Sequence, residues 1–234
     1  MIDWILRAKP WVLFVLIYVL PYVLMTIGMG SVGASLFSTA ASRAAAPPAE
    51  FISQFAWLVG MILLLSMFPL VLLLGWFYGV ADRVAPIAAR YIDVNPTRLR
   101  GAVTAGVVTQ VLYFVAIAYS FYAVFGALDP ASYDPAASGG SPPDGATVSA
   151  FFTGYLVAMG VGVFAFAIWI YILVQVARVI KAVEHRRAGS EGVVGAFFGL
   201  LFFFVGVWIY QPIVNRVANS DYDDELALED GLIE

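Results

Sequence analysis

The chain has 234 residues, 62% of them hydrophobic and only 12% charged, with a net charge of -4. Soluble domains carry about 25% charged residues, so this deficit, combined with apolar blocks of about 20 residues or more, excludes an ordinary soluble domain and predicts membrane spans. The lack of cysteine excludes disulfides, thiolate metal sites and cysteine-ligated clusters, and a single histidine, His185, excludes a His-rich metal or haem site.

Five apolar blocks follow in chain order, over about 11–30, 55–80, 102–127, 148–177 and 193–210. Backbone exposed to lipid must satisfy its own hydrogen bonds, so each block is predicted to be helical. The alternating segments of about ten residues that a β-barrel needs do not occur. The predicted fold class is an all-α integral membrane protein, a bundle of about five transmembrane helices. One transmembrane domain covers 1–217, and 218–234 is a mobile acidic tail.

The first block is longer than the 7–15 residues of a signal-peptide core and is read as a retained span. The small residues Gly30, Ser31, Gly33, Ala34 and Ser35 after it leave cleavage open. Pro21 in the first block and Pro69 in the second are expected to kink or interrupt their helices. Between these blocks, Ser38–Glu50 is rich in Ala and Pro and carries one cation, Arg43. The next connection, Ala81–Arg100, holds Arg83, Arg90, Arg98 and Arg100, with Pro86, Pro96 and a short surface helix expected near Val84–Ile92. Leu128–Thr147, LDPASYDPAASGGSPPDGAT, has no cation and is predicted to be irregular. Arg178–Glu191 carries Arg178, Lys181, Arg186 and Arg187. The fifth block closes on WIYQP, where Trp208 and Tyr210 look like an interfacial belt and Pro212 fits just past a last helical turn.

Cations near span ends favour the cytoplasmic side. With the N-terminus cytoplasmic and five spans, ten Lys or Arg lie inside and two, Arg43 and Arg216, lie outside. This arrangement puts the tail, with its seven carboxylates, on the extracytoplasmic side. The alternative is a re-entrant fifth block that returns the tail to the cytoplasm.

None of the five cores contains Asp, Glu, Lys, Arg or His. Intramembrane ionisable groups mark proton relays and many transport paths, so their absence argues against proton-coupled transport, though not against a pore lined by backbone or hydroxyl groups. The third block is the most polar, with Thr104, Thr109, Gln110, Tyr113, Tyr119, Ser120 and Tyr122. Gln110 and Tyr113 share a helix face. They and Gln175 in the fourth block are candidate intramembrane polar contacts, either as interhelical bonds worth ~0.6 kcal/mol or as contacts to a solute. The small pairs Ala102/Gly106, Ala158/Gly162 and Gly195/Gly199 are candidates for close helix packing. Arg98, Arg100, Arg186 and Arg187 are candidate contacts to lipid headgroups. In VEHRRAGSEG, Glu184, His185 and Glu191 match no specific metal geometry, and the acidic tail lacks the glycine and ligand spacing of a calcium loop. No phosphate-binding loop, dinucleotide fingerprint, HExxH or GxSxG motif is present. No catalytic residue, cofactor or metal is therefore predicted.

The segments RAKPWVLFVLIYVLPY and KAVEHRRAGSEGVVGAFFGLLFFFVGVWIYQPIVNRV carry a further signal through Lys9, Trp11, Pro21, Lys181, Glu184, Trp208, Gln211, Pro212 and Asn215. In these residues, over about a third of the chain, it resembles an uncharacterised group of small polytopic membrane proteins of Bacteroidota-like bacteria. The resemblance implies a polytopic architecture and a bacterial origin, and no activity. The long acidic end beyond Val217 departs from the shorter, more basic ends of that group.

The leading expectation is a non-enzymatic inner-membrane protein, either an accessory or structural subunit of a membrane complex or a lipid-binding protein. Its expected partners are membrane lipids, with another membrane protein or a second copy of the chain. The basic residues are few and explained by topology, so nucleic acid is not expected. A transporter or channel subunit for a small solute is the alternative. An enzyme acting on lipid-like substrates comes third, with only Asp82, Arg83, Glu184 and His185 as candidate groups.

Overall fold

A computed structural model describes residues 2–42, 48–127, 145–185 and 192–219. The helices are α1 (Ile2–Arg7), α2 (Pro10–Phe14), α3 (Leu20–Ser42), α4 (Pro48–Gly79), α5 (Ala85–Ala88), α6 (Pro96–Ala127), α7 (Gly145–His185), α8 (Val193–Leu201) and α9 (Phe203–Ala218). Two π-helical turns, Val15–Val19 and Val80–Val84, join α2 to α3 and α4 to α5.

Four helical stretches are long and apolar enough to cross a membrane: Pro10–Ser31, Trp57–Ala88, Pro96–Phe121 and Phe152–His185, of 22, 32, 26 and 34 residues. At 1.5 Å per residue the shortest extends about 33 Å, beyond the ~30 Å hydrocarbon layer. An all-α fold with four to five long apolar helices, consistent with a transmembrane bundle, is therefore present. The fifth block is not one continuous helix. It breaks at Phe202 (φ -97°, ψ 61°) into α8 and α9, which bend by 117°, so the count reaches five only if the pair is one span. With 9 and 16 residues, the arms measure about 14 and 24 Å, each shorter than the ~30 Å layer.

The prolines act differently from one another. A helical proline clashes with the carbonyl four residues earlier. For Pro21 that residue is Ile17, and for Pro86 it is Asp82; each lies inside a π turn. The wider turn makes room for the ring and lets the helix continue. Pro69 lies within α4, which runs on without interruption. Pro212 also lies inside its helix, with α9 continuing to Ala218. The expectation that it follows the last turn is corrected, because Gln211 and Asn215 on that last stretch are anchored as described below. The short helix expected on the surface at Val84–Ile92 is only Ala85–Ala88, and Val84, Ala85 and Ala88 are fully buried.

The chain divides into two compact units. The first comprises residues 1–20, 69–108 and 166–234. Its core draws Leu6 and Leu13 from the N-terminal segment, Trp76, Phe77 and Val80 from α4 and the following turn, Leu99 and Val103 from α6, and Ile172, Val176 and Ile180 from α7. From α9 it takes Phe203, Val207, Tyr210, Val214 and Val217, spaced alternately four and three residues apart, so that one face of the helix is buried. The second unit comprises residues 21–68 and 109–165. There Ala158 is 1% exposed, Gly154 packs against Ser120, Gly162 against Tyr113 and Gly28 against Met61. Small residues on α7 thus admit side chains from α6 at close range. Outward positions of this unit, such as Tyr22, Leu64, Leu156, Val163 and Phe164, are apolar and more than 60% exposed. The Leu128–Thr147 loop up to residue 144 and the acidic tail beyond Asn219 lie outside the described residues.

Candidate functional site

The most elaborate polar site lies in the first unit and begins with a missing donor. Pro10 starts α2 and has no N–H to offer the carbonyl of Leu6, four residues earlier. The last carbonyls of α1 thus need other partners. Gln211, fully buried on α9, supplies them. Its Nε2 lies 2.8 Å from Leu6 O, 3.0 Å from Ala8 O and 3.2 Å from Ile5 O, and 3.0 Å from Asn215 Oδ1 on the next turn. An amide has two N–H groups, so two of these four acceptors are served at once or the bonds are shared. Asn215 Nδ2 adds a bond to Ala8 O at 3.4 Å.

On the other side, the indole Nε1–H of Trp76 donates to Gln211 Oε1 at 2.6 Å. An indole N–H only donates, so this bond fixes which end of the amide faces which partner. Trp76 is itself held edge-on by Phe203, 5.2 Å between ring centroids, and Phe77, 5.3 Å. One glutamine therefore ties the N-terminal segment, α4 and α9 together.

The bent pair is closed by glycines. A Cβ at Gly206 would overlap the carbonyl oxygen of Gly199, so the two arms meet backbone to backbone. A Cβ at Gly199 would meet the Tyr210 ring and hydroxyl, and that hydroxyl reaches the Gly195 carbonyl at 3.4 Å. Gly192 opens α8 at φ 76°, the left-handed region that glycine enters freely, and a Cβ there would lie 3.2 Å from Lys181 Cε. Lys181 pairs with Glu184 one turn on.

A second polar site lies in the same unit. Asp93, Val94, Asn95, Arg98 and Leu99, around the start of α6, and Tyr171, Gln175 and Arg178, on one face of α7, line a pocket of about 160 Å³. Asn95 Oδ1 accepts from the Arg98 backbone N–H at 3.1 Å and caps α6. Arg178 Nη1 donates to Gln175 Oε1 at 3.4 Å.

The sequence candidates are thus redistributed. Gln175 and Arg98, singled out for different reasons, share the pocket. Arg100 instead pairs with Asp82 at 3.2 Å, while its Nε is buried without a hydrogen-bond partner among the described residues. Gln110 is half-buried on α6, and Tyr113 on the same helix covers Gly162. Gly195 leaves open space beside its Cα, whereas Gly106, Gly162 and Gly199 of the candidate pairs are positions of close approach, as is Gly206. Arg186 and Arg187 lie outside the described residues. Among the described residues, no group of three His, Cys, Asp or Glu is placed to hold a metal.

Sequence reasoning passed over Trp76, Gln211, Asn215 and Gly206 as site residues. The available signal was Gln211 and Asn215, two amides four apart in an apolar run; a search for charged groups does not register them.

Compared with known protein families, curated proteins and solved structures, the chain matches none. The chain is a helical membrane-spanning protein without an evident catalytic motif.

Proposed function

We propose that this is a non-enzymatic protein of the bacterial inner membrane, either an accessory or structural subunit of a membrane complex or a lipid-binding protein. One observation carries the reading. The polar side chain buried most completely among the described residues, the Gln211 amide, is committed to holding the chain's own segments together, while outward helix positions such as Leu64, Leu156 and Val163 offer apolar surface to lipid or to another helix. Membership of the Bacteroidota-like group is part of the same proposal and supplies the bacterial location.

The proposal includes a topology. Gly192, at the start of α8, lies beside Lys181 near the end of α7, and Asn215, near the end of α9, lies beside Ala8. With four crossings, the N-terminus and the end of α7 share one side. A bent pair entering and leaving on that side brings the tail back to the N-terminal face. This supports a re-entrant pair over a fifth crossing with an extracytoplasmic tail. It also puts Arg216 inside, leaving Arg43 as the one outside cation of the twelve, a stronger charge bias than five spans give.

A second reading, a channel or transporter subunit for a small solute, draws on the same bent pair, because non-helical backbone at membrane depth is often found beside transport paths.

Purification in mild detergent followed by intact-complex mass separates the two. The proposal expects a stoichiometric protein partner, or retained lipid on a single chain or a homo-oligomer. Saturable solute flux in liposomes holding this chain alone would overturn it.

A further inference from the structure

We infer that the pocket between the start of α6 and α7 binds the phosphodiester of a membrane lipid headgroup. This deepens the lipid-binding part of the reading above and rests on it.

Two arginines, Arg98 and Arg178, are among the residues that line the pocket. Neither is ion-paired among the described residues, unlike Arg100, which is held by Asp82. Guanidinium groups present planar pairs of N–H donors that match phosphate oxygens. Gln175 is used through its carbonyl by Arg178, which leaves its amide N–H groups to donate. Tyr171, on the same face of α7, adds a hydroxyl.

Charge selects among phosphates. Asp93 shares the pocket, so its lining carries one net positive charge. A phosphodiester bears a single negative charge and matches that balance, whereas a doubly charged phosphate monoester meets an uncompensated carboxylate. Asp93 is also available to accept from a hydroxyl or ammonium on the headgroup.

Size and position agree. A volume of about 160 Å³ is about five times the ~30 Å³ share of a liquid water molecule. It suits a phosphate with its first ester arms, not an acyl chain. Val94 and the buried Leu99 form the apolar part of the lining, and Tyr171, Gln175 and Arg178 follow the apolar length of α7 toward its basic end. A headgroup there would leave its chains beside the apolar helix surface.

The test uses the full chain in detergent, delipidated and then titrated with phosphatidylglycerol, with bound lipid counted by native mass spectrometry. Variants are Arg98→Gln/Arg178→Gln and a control of equal charge loss outside the pocket, Arg90→Gln/Arg216→Gln. At about fivefold per cation near an anionic headgroup, the pocket variant is expected to bind the first lipid roughly 25-fold more weakly, with the control within about twofold. The exposed Arg98→Gln alone should give about fivefold, which guards against a folding defect in the double variant. Equal losses in both double variants would assign the effect to overall charge and overturn the pocket. Undiminished binding in the pocket variant would overturn it while leaving lipid binding intact. No lipid on the unmodified chain would overturn the broader lipid-binding reading as well. Displacement by inorganic phosphate at the concentration of the lipid would make the ligand free phosphate and overturn the headgroup assignment.

Discussion

Replacing Gln211 with leucine tests how the first unit is held together. Leucine has a similar volume but no amide. The Trp76 N–H, bonded at 2.6 Å, and the Leu6 carbonyl, bonded at 2.8 Å, would lose their partner. Ala8 O would keep only the 3.4 Å bond from Asn215. At ~1–3 kcal/mol for each of the two stranded groups, the loss is about 2–6 kcal/mol. Interhelical bonds in membranes average ~0.6 kcal/mol, and this draws the expectation toward the lower end, about 2 kcal/mol. Reversible unfolding by SDS in mixed micelles, followed by far-ultraviolet circular dichroism, measures it. Trp76→Phe removes the indole donor and keeps an aromatic ring, so its cost and that of Gln211→Leu should fall short of additivity by about 1 kcal/mol when combined. A Gln211→Leu change within about 0.5 kcal/mol, the range of an ordinary surface substitution, would refute the reasoning. Strict additivity of the two variants would refute the Trp76–Gln211 link in particular.

Further outcomes follow from the glycines and from Gln110. Gly206→Ala should destabilise the protein by more than about 2 kcal/mol, because the new methyl meets the Gly199 backbone and not a side chain that could swing away. Gly195→Ala, facing open space, should stay within about 0.5 kcal/mol; thermal unfolding in one detergent compares them. Gln110→Leu should change stability by no more than the ~0.6 kcal/mol of a membrane hydrogen bond and should leave complex assembly intact. Loss of a saturable solute flux in that variant would instead support the channel reading.

The crossing helices were legible in the sequence because lipid imposes a simple rule: about 20 apolar residues, helical throughout. The N-terminal clamp was not. Gln211 is uncharged and lies beside a proline that resembles a stop signal, yet α9 runs through Pro212 to Ala218. Its significance depends on Pro10, 201 positions earlier, which deprives Leu6 of a donor. A re-entrant fifth block was open as an alternative, but the place of the break, Phe202, was equally hidden. LLFFFVG around it is as apolar as any neighbouring span and holds no proline; what permits the bend is the backbone contact of Gly199 and Gly206, visible only when both arms are in place. Gly195/Gly199 had the right spacing, but only Gly199 makes a close approach, and its neighbour is Tyr210 of the same chain. Arg98 and Arg100 looked equivalent in sequence. Two positions along a helix turn the side chain by about 200°, which sends Arg98 to the pocket and Arg100 to Asp82.

The native chain contains no cysteine, so a single introduced thiol reports its side of the membrane without background. The decisive comparison is between Asn219→Cys, just past α9, and Ala89→Cys, just past α5; both positions are exposed. Each variant is treated with a membrane-impermeant maleimide in intact cells and again after permeabilisation. A re-entrant α8–α9 pair predicts the same behaviour at both sites, protected in intact cells and labelled once the membrane is opened. Labelling of Asn219→Cys in intact cells, with Ala89→Cys still protected, would mean that the pair crosses and would contradict the proposed topology.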